Sequence, residues 1–187
     1  RQLLIVGQVS MALVLLVGSG LMLRSMARVS AIDPGFTIDG LLTAGVSLGR
    51  EPDRARILAF YDRVLAEVAG LPGVTSVGAS NSLPIEAGSM NGSSFAIESR
   101  PIPRNQISPV TMYQVITAGY FETLGMSVRA GRPPTRSDAV PGRSVMWVNE
   151  SFARRFLDNR AIGERIQLDD HWLEIVGVVS DVRTFGL

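Results

Sequence analysis

The sequence predicts an α+β fold: an N-terminal transmembrane helix, then a domain of two βαβ-like halves with a small inserted subdomain. Three observations carry this. An uncharged apolar run fills residues 3–23; strand, helix and strand patterns follow one another twice; and a stretch rich in Gly, Ser, Asn and Pro, residues 84–109, lies between the two passes.

The chain has 187 residues, enough for one ordinary domain with a short appendage. Apolar residues make up 46% and charged residues 19%. That is less charge than the ~25% of an average soluble domain, as expected of a chain that meets lipid or builds a deep core. All 18 basic residues are arginine; lysine and cysteine are absent, and His171 is the single histidine. A P-loop needs its lysine, so this stretch is not itself an ATPase of that type. Schiff-base, thiol and cysteine-zinc chemistry fall with it. Against 17 acids the net charge is only +1; no polyanion-binding field follows, and nucleic acid is not expected as a partner.

Residues 3–23 (LLIVGQVSMALVLLVGSGLML) hold no charge over 21 positions. At ~1.5 Å per residue they span ~31 Å, matching a ~30 Å hydrocarbon core. Seven Leu, four Val and one Ile, each contributing roughly −0.3 to −0.6 kcal/mol near the bilayer centre, outweigh Gln8, Ser10 and Ser19. A cleaved signal peptide is the rival reading, with Arg1 as its basic region and Gly18-Ser19-Gly20 as its cleavage site. Against it, apolar residues resume at Leu21, and a chain that begins with Arg rather than Met is expected to be a fragment or a processed product. A buried core helix fits less well, since such segments usually run ~10–14 residues. Arg1 at one end, with Arg24 and Arg28 at the other, leaves the orientation open.

Asp33-Pro34-Gly35 is a turn signal that separates the helix, residues 1–27, from a domain over residues 28–187. Residues 41–48 (LLTAGVSL) predict a strand, and Glu51-Pro52-Asp53 opens a helix. Along that helix Ile57, Phe60, Tyr61, Val64, Leu65 and Val68 share one face, while Asp53, Arg56, Asp62, Arg63 and Glu67 fall elsewhere. Leu71-Pro72-Gly73 stops it, and residues 74–80 return as a strand. Within residues 84–109 only residues 94–98 (SFAIE) look strand-like. Residues 110–117 predict a strand, residues 120–124 a brief helix ended by Gly125, and residues 131–142 a proline-marked loop. Residues 144–148 are the next strand; Asn149 then caps a helix carrying Phe152, Ala153, Phe156 and Leu157. Residues 172–179 (WLEIVGVV) carry the strongest strand pattern.

Asp169-Asp170-His171 is the only place where acids adjoin the lone imidazole. A metal or acid–base site there needs further ligands, and strand neighbours point to opposite faces. The turn-residue rule favours a hairpin turn before Trp172. A hydrolase built on His171 lacks a G-x-S-x-G elbow, and Gly18-Ser19-Gly20 lacks the third glycine and preceding strand of a dinucleotide loop. Asn91-Gly92-Ser93 and Asn149-Glu150-Ser151 match the glycosylation sequon, a pattern short enough to arise by chance. Arg154-Arg155 fits a solvated face, or a contact with lipid headgroups or a partner. Residue chemistry assigns no catalytic, metal-binding or cofactor-binding residue, and an enzyme is not expected.

Several motifs run in order through nearly the whole chain. They are the apolar segment with Arg24-Ser25, Asp33-Pro34-Gly35-Phe36, Leu71-Pro72-Gly73-Val74, Tyr120-Phe121-Glu122-Thr123-Leu124-Gly125, Gly131-Arg132, Val148-Asn149-Glu150, Ala153-Arg154-Arg155-Phe156, Ile162-Gly163-Glu164-Arg165-Ile166, Trp172-Leu173-Glu174-Ile175-Val176-Gly177-Val178-Val179 and Asp181-Val182-Arg183. Together they resemble a MacB/FtsX-like ABC transporter permease, nearest the orphan macrolide-exporter-like permeases of soil bacteria. The resemblance implies a first transmembrane helix with Arg1 in the cytoplasm and Arg24 outside. It also implies a periplasmic core domain over residues 28–187, with residues 84–109 in its inserted part, and three further membrane helices beyond Leu187. Such a protein is multi-pass in the bacterial inner membrane. Its implied partners are a cytoplasmic ABC ATPase subunit, a second permease subunit in a dimer or pseudo-dimer, the lipid bilayer and a periplasmic partner protein. Its implied action is mechanical, in export or envelope remodelling: ATP closure shifts the membrane helices, and residues 23–29 couple that shift to the outer domain. No catalytic residue and no cofactor is carried over. An extracytoplasmic sensor or ligand-binding domain of a membrane receptor is the alternative from another class.

Overall fold

The computed structural model describes residues 1–30, 35–47, 49, 53–82, 91–103, 105–140 and 142–182. It divides into a unit built on helix α1 and a second unit, Gly35–Phe185. Helix α1 (Gln2–Ser30) has 29 residues, about 44 Å at ~1.5 Å per residue. Residues 1–28 are exposed on every side, and Gln2–Arg28 is long and apolar enough to cross a membrane. A helix apolar all round is satisfied only where something other than water surrounds it. The turn expected at Asp33-Pro34 and the helix opening at Glu51-Pro52 lie outside the described residues, as do residues 84–90, Pro141 and Arg183.

Helix α2 (Arg54–Ala69) begins at Asp53, whose carboxylate accepts the Ala55 N–H at 2.9 Å. Its half-buried face is Ile57, Phe60, Tyr61, Val64, Leu65 and Val68, while Asp62, Arg63 and Glu67 are exposed, as the periodicity predicts. The flanking segments differ from expectation. Residues 41–47 form no ladder among the described residues, and residues 74–80 form no named strand: they meet residues 116–120 through the Ser80–Ile116 bridge, the Ala79–Thr117 hydrogen bonds and the close approach of Gly78 to Tyr120. Thr-Ala-Gly-Val-Ser at 43–47 has small, exposed side chains and little to bury on a strand face.

Six strands form the sheet: β1 (Asn91–Ile97), β2 (Val110–Tyr113), β3 (Val128–Gly131), β4 (Val145–Asn149), β5 (Arg165–Leu168) and β6 (His171–Val179). Their order is β2-β1-β5-β6-β3, with β4 also paired to β6. The predicted strand at residues 94–98 is therefore an interior strand, flanked by β2 and β5. Strand β6 is the hub. Residues 171–174 pair antiparallel with β5, residues 177–179 with β3, and residues 174–179 carry β4 in parallel. The parallel pair is possible because helix α4 (Glu150–Leu157) supplies a crossover after β4. Strands β3 and β5 and a 3-10 turn at Arg136–Ala139 were not predicted; each spans four residues, too few for a period to show.

The core forms two clusters. In the first, Ala153 and Leu157 of α4 pack on Phe95, Val148, Ile166, Ile175 and their neighbours, with the Phe95 ring 5.1 Å from Phe152 and 5.0 Å from Phe156. In the second, Phe36 and Val179 meet Tyr120, Phe121 and Leu124 around helix α3 (Tyr120–Thr123).

Candidate functional site

Gly35-Phe36 at the start of the second unit and Asp181-Val182 after β6 touch. A side chain on Gly35 would overlap the Asp181 carbonyl oxygen and lie 3.2 Å from Val182 Cα. Gly35 also has φ +83°, so both space and conformation require glycine there. Phe36 is buried among Tyr120, Phe121, Leu124 and Val179, with Val182 packed against that cluster. The Thr37 N–H donates to the Leu124 carbonyl at 2.8 Å.

The Asp181 side of this joint is tied to α4. The Asp181 carboxylate accepts the Ser151 N–H at 2.8 Å and the Ser151 hydroxyl at 2.6 Å. Arg154 lies 3.8 Å from the same carboxylate. Asn149 Oδ1 accepts the Phe152 N–H at 3.1 Å. Two of the first donors of α4, the Ser151 and Phe152 N–H groups, are thus each satisfied by a side chain, and a negative charge sits at the helix's positive end. One backbone contact therefore links the incoming chain, the second core cluster and α4.

A polar corner flanks the sheet nearby in sequence. Arg132 donates to Asp138 through two parallel bonds of 2.7 and 2.6 Å, and the Asp138 side chain is only 7% exposed. The Thr135 N–H and hydroxyl donate to the same carboxylate at 2.8 and 2.7 Å, closing a capping box. The Arg132 guanidinium holds the Asp138 carboxyl well below the usual carboxylate range, against the opposing effect of burial. The Arg132 carbonyl accepts the Trp147 indole N–H at 2.6 Å, and its guanidinium lies 5.8 Å over the ring. That indole rests on Gly177, where a side chain would come within 2.6 Å of Nε1. Arg143, Arg165, Trp172 and Glu174 complete an open basin of about 550 Å³. Arg165 stacks on Trp172 at 5.5 Å and bonds Glu98 at 2.9 Å. Each of these arginines has a carboxylate close by, so the basin is a compensated corner with no net charge to attract an anion.

The residues singled out from sequence are scattered. Asp169 and Asp170 are the two-residue turn between Leu168 and His171; Asp169 has φ 51° and accepts the Ser93 hydroxyl at 2.6 Å. His171 is the exposed first residue of β6. Among the described residues no group of three or more acids and histidines could hold a metal ion. Asn91 opens β1 next to an inward Ser93, and Asn149 spends its side chain on the α4 cap. Arg154 reaches Asp181, and Arg155 lies 5.2 Å over the Phe156 ring. Gly18 and Gly20 have open space around them in α1.

Sequence reasoning missed Asp138 and Gly177. Thr135-x-x-Asp138 matches a capping-box pattern, and a lone glycine inside a strong strand signals close approach by another group. Both signals were present. The contact of Gly35 with Asp181 had none, because it joins residues far apart in the sequence.

The sequence family described as MacB-like periplasmic core domain matches residues 4–186. No curated protein matches. The chain is similar to the crystal structure of the periplasmic region of MacB from Actinobacillus actinomycetemcomitans, with 17% identity and a TM-score of 0.48 over 66% of this chain and 51% of that one. It is also similar to the extracellular domain of the noncanonic ABC-type transporter YknZ from Gram-positive bacteria, with 17% identity and a TM-score of 0.46 over 64% of this chain and 57% of that one. The chain spans about half the length of these solved structures.

Proposed function

Because this chain belongs to the MacB-like periplasmic core domain family, we propose that it is the first membrane helix and periplasmic core of an ABC transporter permease, a mechanical transmitter without catalysis of its own. In this reading residues 1–27 cross the bacterial inner membrane with Arg1 in the cytoplasm. Residues 28–187 form the outer domain, within which residues 84–109 are an inserted segment whose strand β1 is bonded into the sheet. A separate cytoplasmic ATPase supplies the energy, the whole permease is multi-pass, and two permease subunits act as a dimer or pseudo-dimer. Transport or envelope remodelling is the output.

The observation that supports this reading is the joint at Gly35 and Asp181. A force delivered along the chain at Phe36 meets packed core, since Phe36 is 9% exposed and surrounded by Tyr120, Phe121, Leu124 and Val179. Close-packed interiors do not absorb such a displacement by stretching; they pass it on or repack into a second arrangement. The contact with Asp181 passes it to the α4 cap.

The test is mechanical as well. A short Gly-Ser insertion after Arg28 makes the connection slack without touching the folded unit. In the full permease with its ATPase, hydrolysis is expected to continue while the ATP-dependent change in Trp147 fluorescence disappears. An ATP-dependent change of undiminished size in the slack variant would refute transmission through this segment.

A further inference from the structure

The outer edge of β2 is an unprotected strand edge beside an apolar groove, and we propose that it docks an extended, acidic and apolar segment of a partner protein by strand addition. The register fixes which backbone groups are available. The Phe95 N–H donates to the Pro109 carbonyl at 3.0 Å, and Ser93 stands opposite Thr111. Antiparallel alternation then turns the Thr111 and Tyr113 backbone groups toward β1 and those of Val110 and Met112 outward. Among the described residues no strand pairs with that outer edge. Residues 110–113 contain no charge and no proline, and their pairing with β1 has no bulge. Charge, proline and a bulge, which normally blunt an edge strand, are therefore missing, and only the shortness of this four-residue strand limits it.

The side chains favour the same use. Ile107, Val110 and Met112 are 96%, 69% and 43% exposed. A groove of about 520 Å³ runs between this edge and Phe152 and Phe156 of α4; on its β2 side the Pro109 and Thr111 side chains share the face of Phe95, while Val110 and Met112 stand with Ser94 and Gly92 on the opposite face and border the groove at the strand edge. Strand addition supplies main-chain bonds at the edge, while alternate side chains of the incoming segment enter the groove.

Charge decides the occupant. Among the described residues Arg155 is the one charged residue lining the groove. It lies over Phe156 at 5.2 Å and has no ion pair among the described residues. A segment with apolar residues at alternate positions and a carboxylate at the rim answers both surfaces. A second copy adding its own β2 answers only the edge, because Val110-Thr111-Met112-Tyr113 brings no acid to Arg155.

The test uses the full chain in detergent micelles and two fluorescent peptides of one alternating Val/Thr pattern, with either Glu or Lys at the polar positions. The Glu peptide is expected to bind at least about tenfold more tightly, a difference of ~1.4 kcal/mol. Arg155→Glu is expected to reverse that order, whereas Arg63→Glu, an equal charge change on the wet face of α2, leaves it standing. Met112→Pro removes an outward N–H without touching the β1 ladder, and is expected to weaken the Glu peptide about tenfold with the melting temperature unchanged. Equal binding of both peptides overturns the proposal. So does no binding of either up to about 1 mM, the weak end of the affinity scale. A chain dimer that Met112→Pro dissolves and the peptide displaces gives the edge to a second copy and overturns it as well. No ATPase is present in this experiment, so its failure leaves the transmission reading where it stands.

Discussion

Gly177→Ala is the sharpest test of how the sheet is packed. Gly177 is not among the residues with positive φ, so alanine meets no backbone penalty and the effect is purely steric. A methyl there would lie 2.6 Å from Trp147 Nε1 and 2.8 Å from the Arg132 carbonyl oxygen. Neither neighbour yields easily: the indole is fixed by its 2.6 Å bond to that carbonyl and by the Phe121 ring edge at 6.1 Å. Relief requires moving the indole, which forfeits a hydrogen bond of ~1 kcal/mol and adds overpacking strain of ~1–3 kcal/mol. A loss of ~3 kcal/mol lowers the melting temperature of a domain this size by roughly 6–12 °C. Circular dichroism reports the transition. Because Trp147 and Trp172 are the only tryptophans, a Trp172→Phe background lets emission report the indole alone, and a red shift is expected. Adding Trp147→Phe should recover part of the loss, because it removes Nε1 with its bond to the Arg132 carbonyl and leaves a smaller ring free to shift. A melting temperature within about 1 °C of the parent, with unchanged emission, would refute this packing argument.

Three further outcomes follow from the same geometry. Asp138→Asn should destabilise the domain by ~2 kcal/mol, because it breaks a two-bonded ion pair and leaves Arg132 without its partner. Its pH signature has a definite sign. The folded carboxyl titrates below its unfolded value of ~3.9, so the stabilisation is complete above about pH 5 and is lost as acid protonates the unfolded chain first. The gap in melting temperature between parent and Asp138→Asn should therefore shrink between about pH 5 and pH 3; a gap that stays constant would count against it. Asp181→Ala should cost about 1 kcal/mol through the lost α4 cap, and Asp181→Asn, which keeps an acceptor, less than half of that; equal losses in chemical denaturation would contradict the capping role. With no native cysteine, Ala12→Cys should resist an impermeant maleimide in whole cells while Ser137→Cys reacts from outside. Labelling of position 12 would remove the membrane helix.

What was legible in the sequence was what repeats locally. The α1 run has no charge to dispute it, the α2 stripe follows helical spacing over three turns, and Asn149 announces α4 because capping is settled within a few residues. The long strand β6 was clear for the same reason. Strands β3 and β5 were not, since four residues cannot display a period and their pairing depends on β6. At residues 41–47 an apolar composition predicted a ladder, yet no partner strand lies beside it among the described residues, and pairing, not composition, makes a strand. The joint was illegible from local pattern. Gly35 reads as a turn residue and Asp181 as part of a motif after the last strand until the fold brings them together, although the ordered motifs had already pointed to the family that residues 4–186 match.

Hydrogen exchange at a single amide tests the transmission account most directly. The Ser151 N–H is held by the Asp181 carboxylate at 2.8 Å, beside the contact of Gly35 with Asp181. In the full permease with its ATPase in lipid nanodiscs, the account predicts that this amide exchanges at rates differing at least about fivefold between nucleotide-free and ATP-bound states, the low end of typical coupling free energies. The fully buried amides of Ile166 and Ile175 serve as the unmoved reference. Identical Ser151 rates in the two states would contradict it.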